Sequence, residues 1–145
     1  MGFSHYFVQR RDGRIEVKLA HAPRAFLASV VDHLIAAEGD ATHPWHGALH
    51  APINPAQDSD DPLRSFERQK ATATNSELMR LTIDEQFLTK DEAFAWLTTM
   101  QLGLRARAHE ASIFTDEQWR SADQEVVMTI QALQELITEL VAALE

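Results

Sequence analysis

The chain has 145 residues, no cysteine and a formal net charge of -9. Its length suits a single domain with its own core, and the missing cysteine excludes disulfides, thiolate metal sites and thiol redox switches. The acidic balance argues against nucleic acid as the main direct partner, because affinity for phosphate backbones depends on clustered Lys and Arg.

The hydropathy pattern predicts no membrane partner, because no run approaches the roughly 20 consecutive apolar residues that cross a bilayer. Residues 1–5 also lack the basic start and apolar stretch of a secretory signal. We therefore expect one cytoplasmic domain over residues 1–145, with 45% hydrophobic and 24% charged residues as in ordinary globular proteins.

Residues 1–20 are predicted to form a β-hairpin. Asp12-Gly13 is typical of a two-residue type I′ turn, in which both residues have positive φ angles. Such a turn pairs Val8 with Val17 and directs Phe7 away from the apolar face. The predicted apolar face consists of Tyr6, Val8, Ile15, Val17 and Leu19. Because an isolated hairpin is marginal in water, we expect it to lie on helices or to join another sheet.

Residues 22–145 are predicted to form a helical bundle with an irregular loop near residues 39–61. Pro23 suits a first helical position, and apolar residues follow at helical spacing as far as Gly39. The loop is rich in Pro and Asp. Trp45 and Leu49 are expected to anchor it to the core.

Capping signals predict where the later helices begin. Asp61 before Pro62 suits a helix N-terminus, and that helix is predicted to end near Ala73. Capping-box patterns follow at Thr74-x-x-Glu77, Thr89-x-x-Glu92 and Thr115-x-x-Gln118. The helix that begins after Thr89 is predicted to bury an apolar stripe of Phe94, Trp96, Leu97, Met100 and Leu104.

The stretch from Ser121 to Glu145 is predicted to be the helix around which the bundle is organised. Its apolar residues follow alternating four- and three-residue steps. They are Val126, Ile130, Leu133, Ile137, Leu140 and Leu144. This core stripe indicates a helix that packs inside the bundle, against a second copy of itself, or both, so a homodimer is expected.

Basic residues mark two candidate interaction surfaces. Arg10, Arg11 and Arg14 surround the hairpin turn. Arg64 and Arg68 are four residues apart on one face of a predicted helix. Either group could bind an acidic protein partner; the alternative is that such mixed surface charges pair within the chain.

Three histidines suggest metal binding as an alternative. His43, His46 and His50 are three and four residues apart, and imidazole nitrogens commonly hold zinc. Pro44 opposes a regular helical array, so a polar loop is the competing interpretation. A metal-dependent enzyme built on these histidines and direct DNA binding are the alternative functions, whereas the preferred prediction contains no catalytic residue and no cofactor.

Several short motifs together resemble a known family. They are residues 10–19, the Asp60-Asp61-Pro62 helix start followed by Phe66, the Ala95-Trp96-Leu97 run and the closing Leu-rich helix. In this order they resemble an actinobacterial family of unknown function that includes the oxidative-stress regulator AosR. The resemblance implies a cytoplasmic regulator of transcription that contacts a sigma factor. The redox response attributed to that regulator depends on a cysteine pair, which this chain lacks.

The sequence thus predicts a mainly α protein, a helical bundle with an N-terminal β-hairpin. We expect it to act through protein contacts in transcriptional or stress regulation rather than as an enzyme. The identity of the partner, the regulating signal and the subunit number are left open by the residues.

Overall fold

A computed structural model describes residues 6–46, 62–113 and 115–145, with residues 62–69 and 72 described by their backbone alone. The described part is mainly α-helical, with a small antiparallel sheet near the N-terminus, as predicted. In chain order the elements are β1 Phe7–Gln9, β2 Ile15–Val17, α1 His21–Glu38, α2 Pro62–Leu81, β3 Phe87–Leu88, α3 Lys90–Glu110, α4 Asp116–Ser121 and α5 Gln124–Leu144.

The turn of the hairpin is one residue longer than predicted. The Arg10 N–H donates to the Arg14 carbonyl over 2.8 Å, which leaves three residues in the loop. Gly13 has a φ of +88°, whereas Asp12 has no positive φ. A type I′ turn needs a positive φ at both of its central residues. This loop is therefore a three-residue turn with glycine in the left-handed position.

The longer turn shifts the register of β1 by one residue. Phe7 lies opposite Val17, and Val8 lies opposite Glu16. Because side chains alternate along a strand, this shift exchanges the two faces of β1. Phe7 is therefore buried at 3% exposure, and the predicted inward position of Val8 is wrong.

The sheet also has a third strand that the sequence pattern did not predict. β3 pairs antiparallel with β2, with Ile15 opposite Leu88 and Glu16 opposite Phe87. The expectation that the hairpin would join another strand and lie on helices is confirmed, because β1 packs against α5.

Residues Pro62–Leu81 form one helix, so the predicted break near Thr74 is wrong. The Thr74 hydroxyl donates to the Lys70 carbonyl one turn earlier, over 2.9 Å, instead of capping a new helix. Threonine can satisfy its hydroxyl in this way inside a helix, so a capping pattern alone does not require a break.

The other two capping boxes are confirmed, at Thr89 and at Thr115. α5 begins at Gln124 with Asp123 as its cap, so Ser121 belongs to the preceding short helix. 

Trp96 is central to the core. It is fully buried, meets the ring of Phe7 edge-on at 6.3 Å between centroids, and donates its indole N–H to the Thr82 hydroxyl over 2.7 Å. Around it lie the fully buried side chains of Ile15, Leu27, Met79, Leu88, Met100 and Leu140. Phe94, which was predicted to face inward, is instead 52% exposed.

Arg24 joins α1 to the sheet through its guanidinium. Its Nη1 donates to the carbonyls of Ile83 and Glu85 over 2.7 and 3.0 Å. Its Nε and Nη2 donate to Leu19 and Val17, each over 3.0 Å. The planar, fixed fork of arginine can serve several carbonyls at once, so this basic residue holds the fold together.

Gly103 allows α1 and α3 to approach closely. A methyl group added there would lie 2.7 Å from Cγ1 of Val30 and 3.8 Å from Cδ1 of Leu34. Val30 has a branched, stiff side chain that cannot swing away freely. The crossing of the two helices therefore requires glycine.

We expect Arg24→Lys to lower the free energy of unfolding by about 2 kcal/mol, because one ammonium cannot replace donors aimed at four carbonyls. Urea denaturation followed by circular dichroism measures this change. Arg11→Lys, at the exposed turn, is the matched control and should leave stability unchanged. Equal effects of the two substitutions would contradict the role assigned to Arg24.

Gly103→Ala is expected to lower stability by about 1 kcal/mol, because overpacking outweighs the gain of roughly 1 kcal/mol that alanine normally brings to a helix. In a Val30→Ala background the contact is gone, so the same substitution should become stabilising. The four proteins of this double-mutant cycle are compared by denaturant titration. A stabilising Gly103→Ala in the unaltered chain would disprove the close approach.

Candidate functional site

A cleft of about 430 Å³ lies between α1, the turn at residues 40–46, the end of α3 and the first half of α5. Its apolar wall contains Phe26, Val30 and Leu133, which are spaced along α1 and α5. The polar groups that line it are His33, His43, Arg107, Glu110, Glu125 and the hydroxyls of Ser29 and Thr129. Its volume falls in the range of small-molecule sites.

Three aromatic rings meet at one side of this cleft. His33 lies 5.2 Å from the ring of Trp45 and 5.8 Å from that of His43, between centroids. His43 and Trp45 are 6.0 Å apart and nearly perpendicular. Edge-to-face contacts at such distances are favourable, so the three rings support one another.

Trp45 anchors the turn to the bundle, as predicted. It is 6% exposed, and its indole N–H donates to the Glu110 carboxylate at the end of α3. Its backbone N–H donates to Nδ1 of His43 over 3.1 Å. This bond requires an unprotonated Nδ1, so the hydrogen of neutral His43 is carried by Nε2. The other predicted anchor, Leu49, lies outside the described residues.

The charges of the cleft are unevenly compensated. Nη1 of Arg107 lies 2.8 Å from Oε1 of Glu110, and the second oxygen of Glu110 accepts from Trp45. Glu125 has neither an ion pair nor a side-chain hydrogen bond with the described residues. Among the described Arg and Glu side chains that line the cleft, one negative charge is therefore unbalanced.

The predicted histidine cluster is divided between different environments. His43 lines the cleft, whereas Nδ1 of His46 lies 2.7 Å from the Ala37 carbonyl, and His50 lies outside the described residues. Among the residues that are described, no three or more His, Asp or Glu side chains are grouped to hold a metal ion. Metal binding by the three histidines stays an untested alternative, because His50 lies outside the described residues.

His33 is one of several cleft residues that the sequence patterns did not predict. It follows Phe26 and Val30 on α1 by seven and three residues, which places all three on one side of the helix. The spacing alone places His33 on this side of α1. Its place in a cleft follows only once the turn at residues 40–46 is known to fold back over the same side.

The arginines of the hairpin turn lie on the sheet and do not line the cleft. Arg10 forms an ion pair with Glu16 and holds the pKa of that carboxyl below its ordinary value. Arg14 lies 2.8 Å from Asp12 and stacks over the ring of Phe87 at 4.4 Å. Arg11 is exposed, with no ion pair to a described residue. The side chains of Arg64 and Arg68 lie outside the description, so an interaction role for these five stays a prediction.

The core stripe of α5 is buried in part. Ile130, Leu133 and Leu140 are buried, as is Leu136 beside them. Val126, Ile137 and Leu144 are half-buried. The middle of the helix therefore faces the bundle core, and its ends are less covered.

A second stripe runs along α5 beside the first and contains no charged residue. It again follows alternating four- and three-residue steps, and its members are Val127, Gln131, Gln134, Thr138 and Val141. The two valines are half-buried and the three polar residues are exposed. We call this surface the uncharged α5 stripe. The acids Glu125, Glu135 and Glu139 lie outside it.

α5 is also the one described helix that is long and apolar enough, by length and composition, to cross a membrane. Core helices of soluble proteins meet the same criterion, and Leu133 and Leu140 of α5 contact the core around Trp96. Only 22% of its most apolar 18-residue stretch is buried, and the remaining residues of that stretch are half-buried or exposed.

Comparison with known proteins gave no match: no protein-family model, no curated protein and no solved structure is significantly similar to this chain.

Thr42→Val is expected to raise the pKa of Asp40 toward its ordinary value, because the Thr42 hydroxyl, 2.6 Å from Oδ1, lowers that pKa most. A lowered carboxyl pKa adds stability that is present above the unfolded pKa and is lost as the pH falls through the folded value. The stability difference between the two proteins should therefore shrink on acidification.

The titration is followed by carbon-13 NMR of the carboxyl groups. Asp12, whose pKa is lowered by hydrogen bonds from Arg14, is the internal control and should titrate alike in both proteins. An unchanged Asp40 in the variant would contradict the assigned cause.

Proposed function

We propose that this chain is a non-enzymatic interaction domain that acts as a homodimer in transcriptional or stress regulation in the cytoplasm. The observation that carries the proposal is the uncharged α5 stripe, whose three polar residues are exposed and whose two valines are half-buried in the described part of the chain. A surface without charged residues suits the centre of a protein contact, where charged residues are depleted.

The composition of the stripe favours a second copy of the chain as its occupant. In a two-fold contact the same patch occurs on both sides, so any charge within it would face a like charge. The chain carries a net charge of -9, yet five consecutive positions of this stripe, Val127 to Val141, are uncharged. The acids Glu125, Glu135 and Glu139 lie outside the stripe, on the side away from the core stripe.

The setting in transcription and the sigma-factor partner come from the resemblance of the sequence motifs alone. Arg11 at the hairpin turn supports an acidic protein surface as the target, because it is exposed and has no ion pair with a described residue. In this proposal the uncharged α5 stripe joins the two copies, and the hairpin arginines face the partner.

Gln134→Lys is expected to weaken self-association at least about tenfold, because it places two like charges close together at the centre of a two-fold contact. Gln101→Lys, which also adds a lysine at an exposed glutamine but on α3, is the matched control. Light scattering across a concentration series measures the subunit number. Purified sigma factors are then tested for capture by both variants and by the unaltered chain.

A chain that stays monomeric at all concentrations, or a dimer that both substitutions weaken equally, would count against self-association through α5. Failure to retain any sigma factor would remove the transcriptional part of the proposal. The two readouts are independent, so each part can fail without the other.

A further inference from the structure

The cleft between α1, α3 and α5 presents polar groups that have no partner within the described part of the chain. Glu125 is exposed at its edge, and its carboxylate has no hydrogen bond or ion pair with a described residue. The Ser29 hydroxyl and the ring nitrogens of His33 line the same cleft and likewise lack hydrogen bonds there. These three groups can all accept a hydrogen bond.

The opposite charge in the cleft is already neutralised. Arg107 is paired with Glu110, and Glu110 also accepts from the buried indole of Trp45. An anion would have to break this pair while meeting the free carboxylate of Glu125. A cation meets an unpaired negative charge without displacing any contact, so the electrostatics of the cleft select for positive ligands.

The remaining surface suits an apolar or aromatic body. Phe26, Val30 and Leu133 form the apolar wall, and the contacting rings of His33 and Trp45 lie at one side. Aromatic faces attract cations as well as apolar groups. With a volume of about 430 Å³, the cleft can enclose a ligand of one ring and a short chain.

We propose that this cleft is a binding site for a small organic cation, an ammonium group attached to a compact apolar or aromatic body. The ammonium group lies against the Glu125 carboxylate and donates hydrogen bonds to it, with the Ser29 hydroxyl and His33 as further acceptors. The apolar or aromatic part of the ligand packs on Phe26 and on the rings of His33 and Trp45. This site is separate from the uncharged α5 stripe, because Glu125 lies outside that stripe.

Three probes of one shape and different charge test the site on the full chain. 2-Phenylethylamine is the cation, 2-phenylethanol the neutral counterpart and phenylacetate the anion. We expect the amine to bind at least about tenfold more tightly than either of the others, as suits one charge-assisted contact. Two-dimensional NMR titration gives the affinity and locates the ligand through the shifts of Trp45 and His33.

Glu125→Gln keeps the shape of the side chain and removes its charge, so the affinity for the amine should fall about tenfold. Glu135→Gln, an exposed substitution elsewhere on α5, is the matched control and should leave the affinity unchanged. Thermal unfolding of both variants verifies that each is folded. The proposal is overturned by any of four results: no saturable amine binding, tighter binding of phenylacetate, shifts outside the cleft, or an undiminished affinity in Glu125→Gln. Because none of these readouts depends on subunit number, the result is independent of self-association.

Discussion

The guanidinium of Arg24 is the contact on which the arrangement of sheet and helices depends. Backbone carbonyls at the ends of short strands lack partners, and leaving them unsatisfied in a partly buried place is costly. Arg24 supplies donors to Val17, Leu19, Ile83 and Glu85 at once, and so ties α1 to both segments that flank the sheet. Arg24 is a charged residue of a type usually found on the surface, yet here it forms hydrogen bonds that hold the fold together.

The packing of the core depends on the Arg24 hydrogen bonds and on the one additional residue in the hairpin turn. The three-residue loop turns Phe7 inward against Trp96, and Trp96 in turn binds the Thr82 hydroxyl at the end of α2. Three separate parts of the chain therefore meet at one indole. A two-residue loop would place Val8 there instead and leave the indole without its aromatic neighbour.

α5 links the two candidate functional surfaces because its sides face different surroundings. Its core stripe packs on the bundle, Glu125 and Thr129 line the cleft, and the uncharged α5 stripe faces outward. A ligand in the cleft and a second copy on the stripe would thus contact the same rigid helix. Such an arrangement permits binding at one surface to influence the other, through small shifts of a shared element.

Local signals in the sequence determined the mainly α class, the capping boxes at Thr89 and Thr115, the hairpin and the anchoring role of Trp45, because each depends on neighbouring residues or on helical spacing. The register of β1, the continuous α2, the short strand β3 and the cleft were decided by tertiary structure. Phe7 and Val8 are both suitable for burial, and only packing against Trp96 chooses between them. His33 and Glu125 are 92 positions apart along the chain, so their meeting at one cleft depends on how the helices pack, which no local pattern encodes.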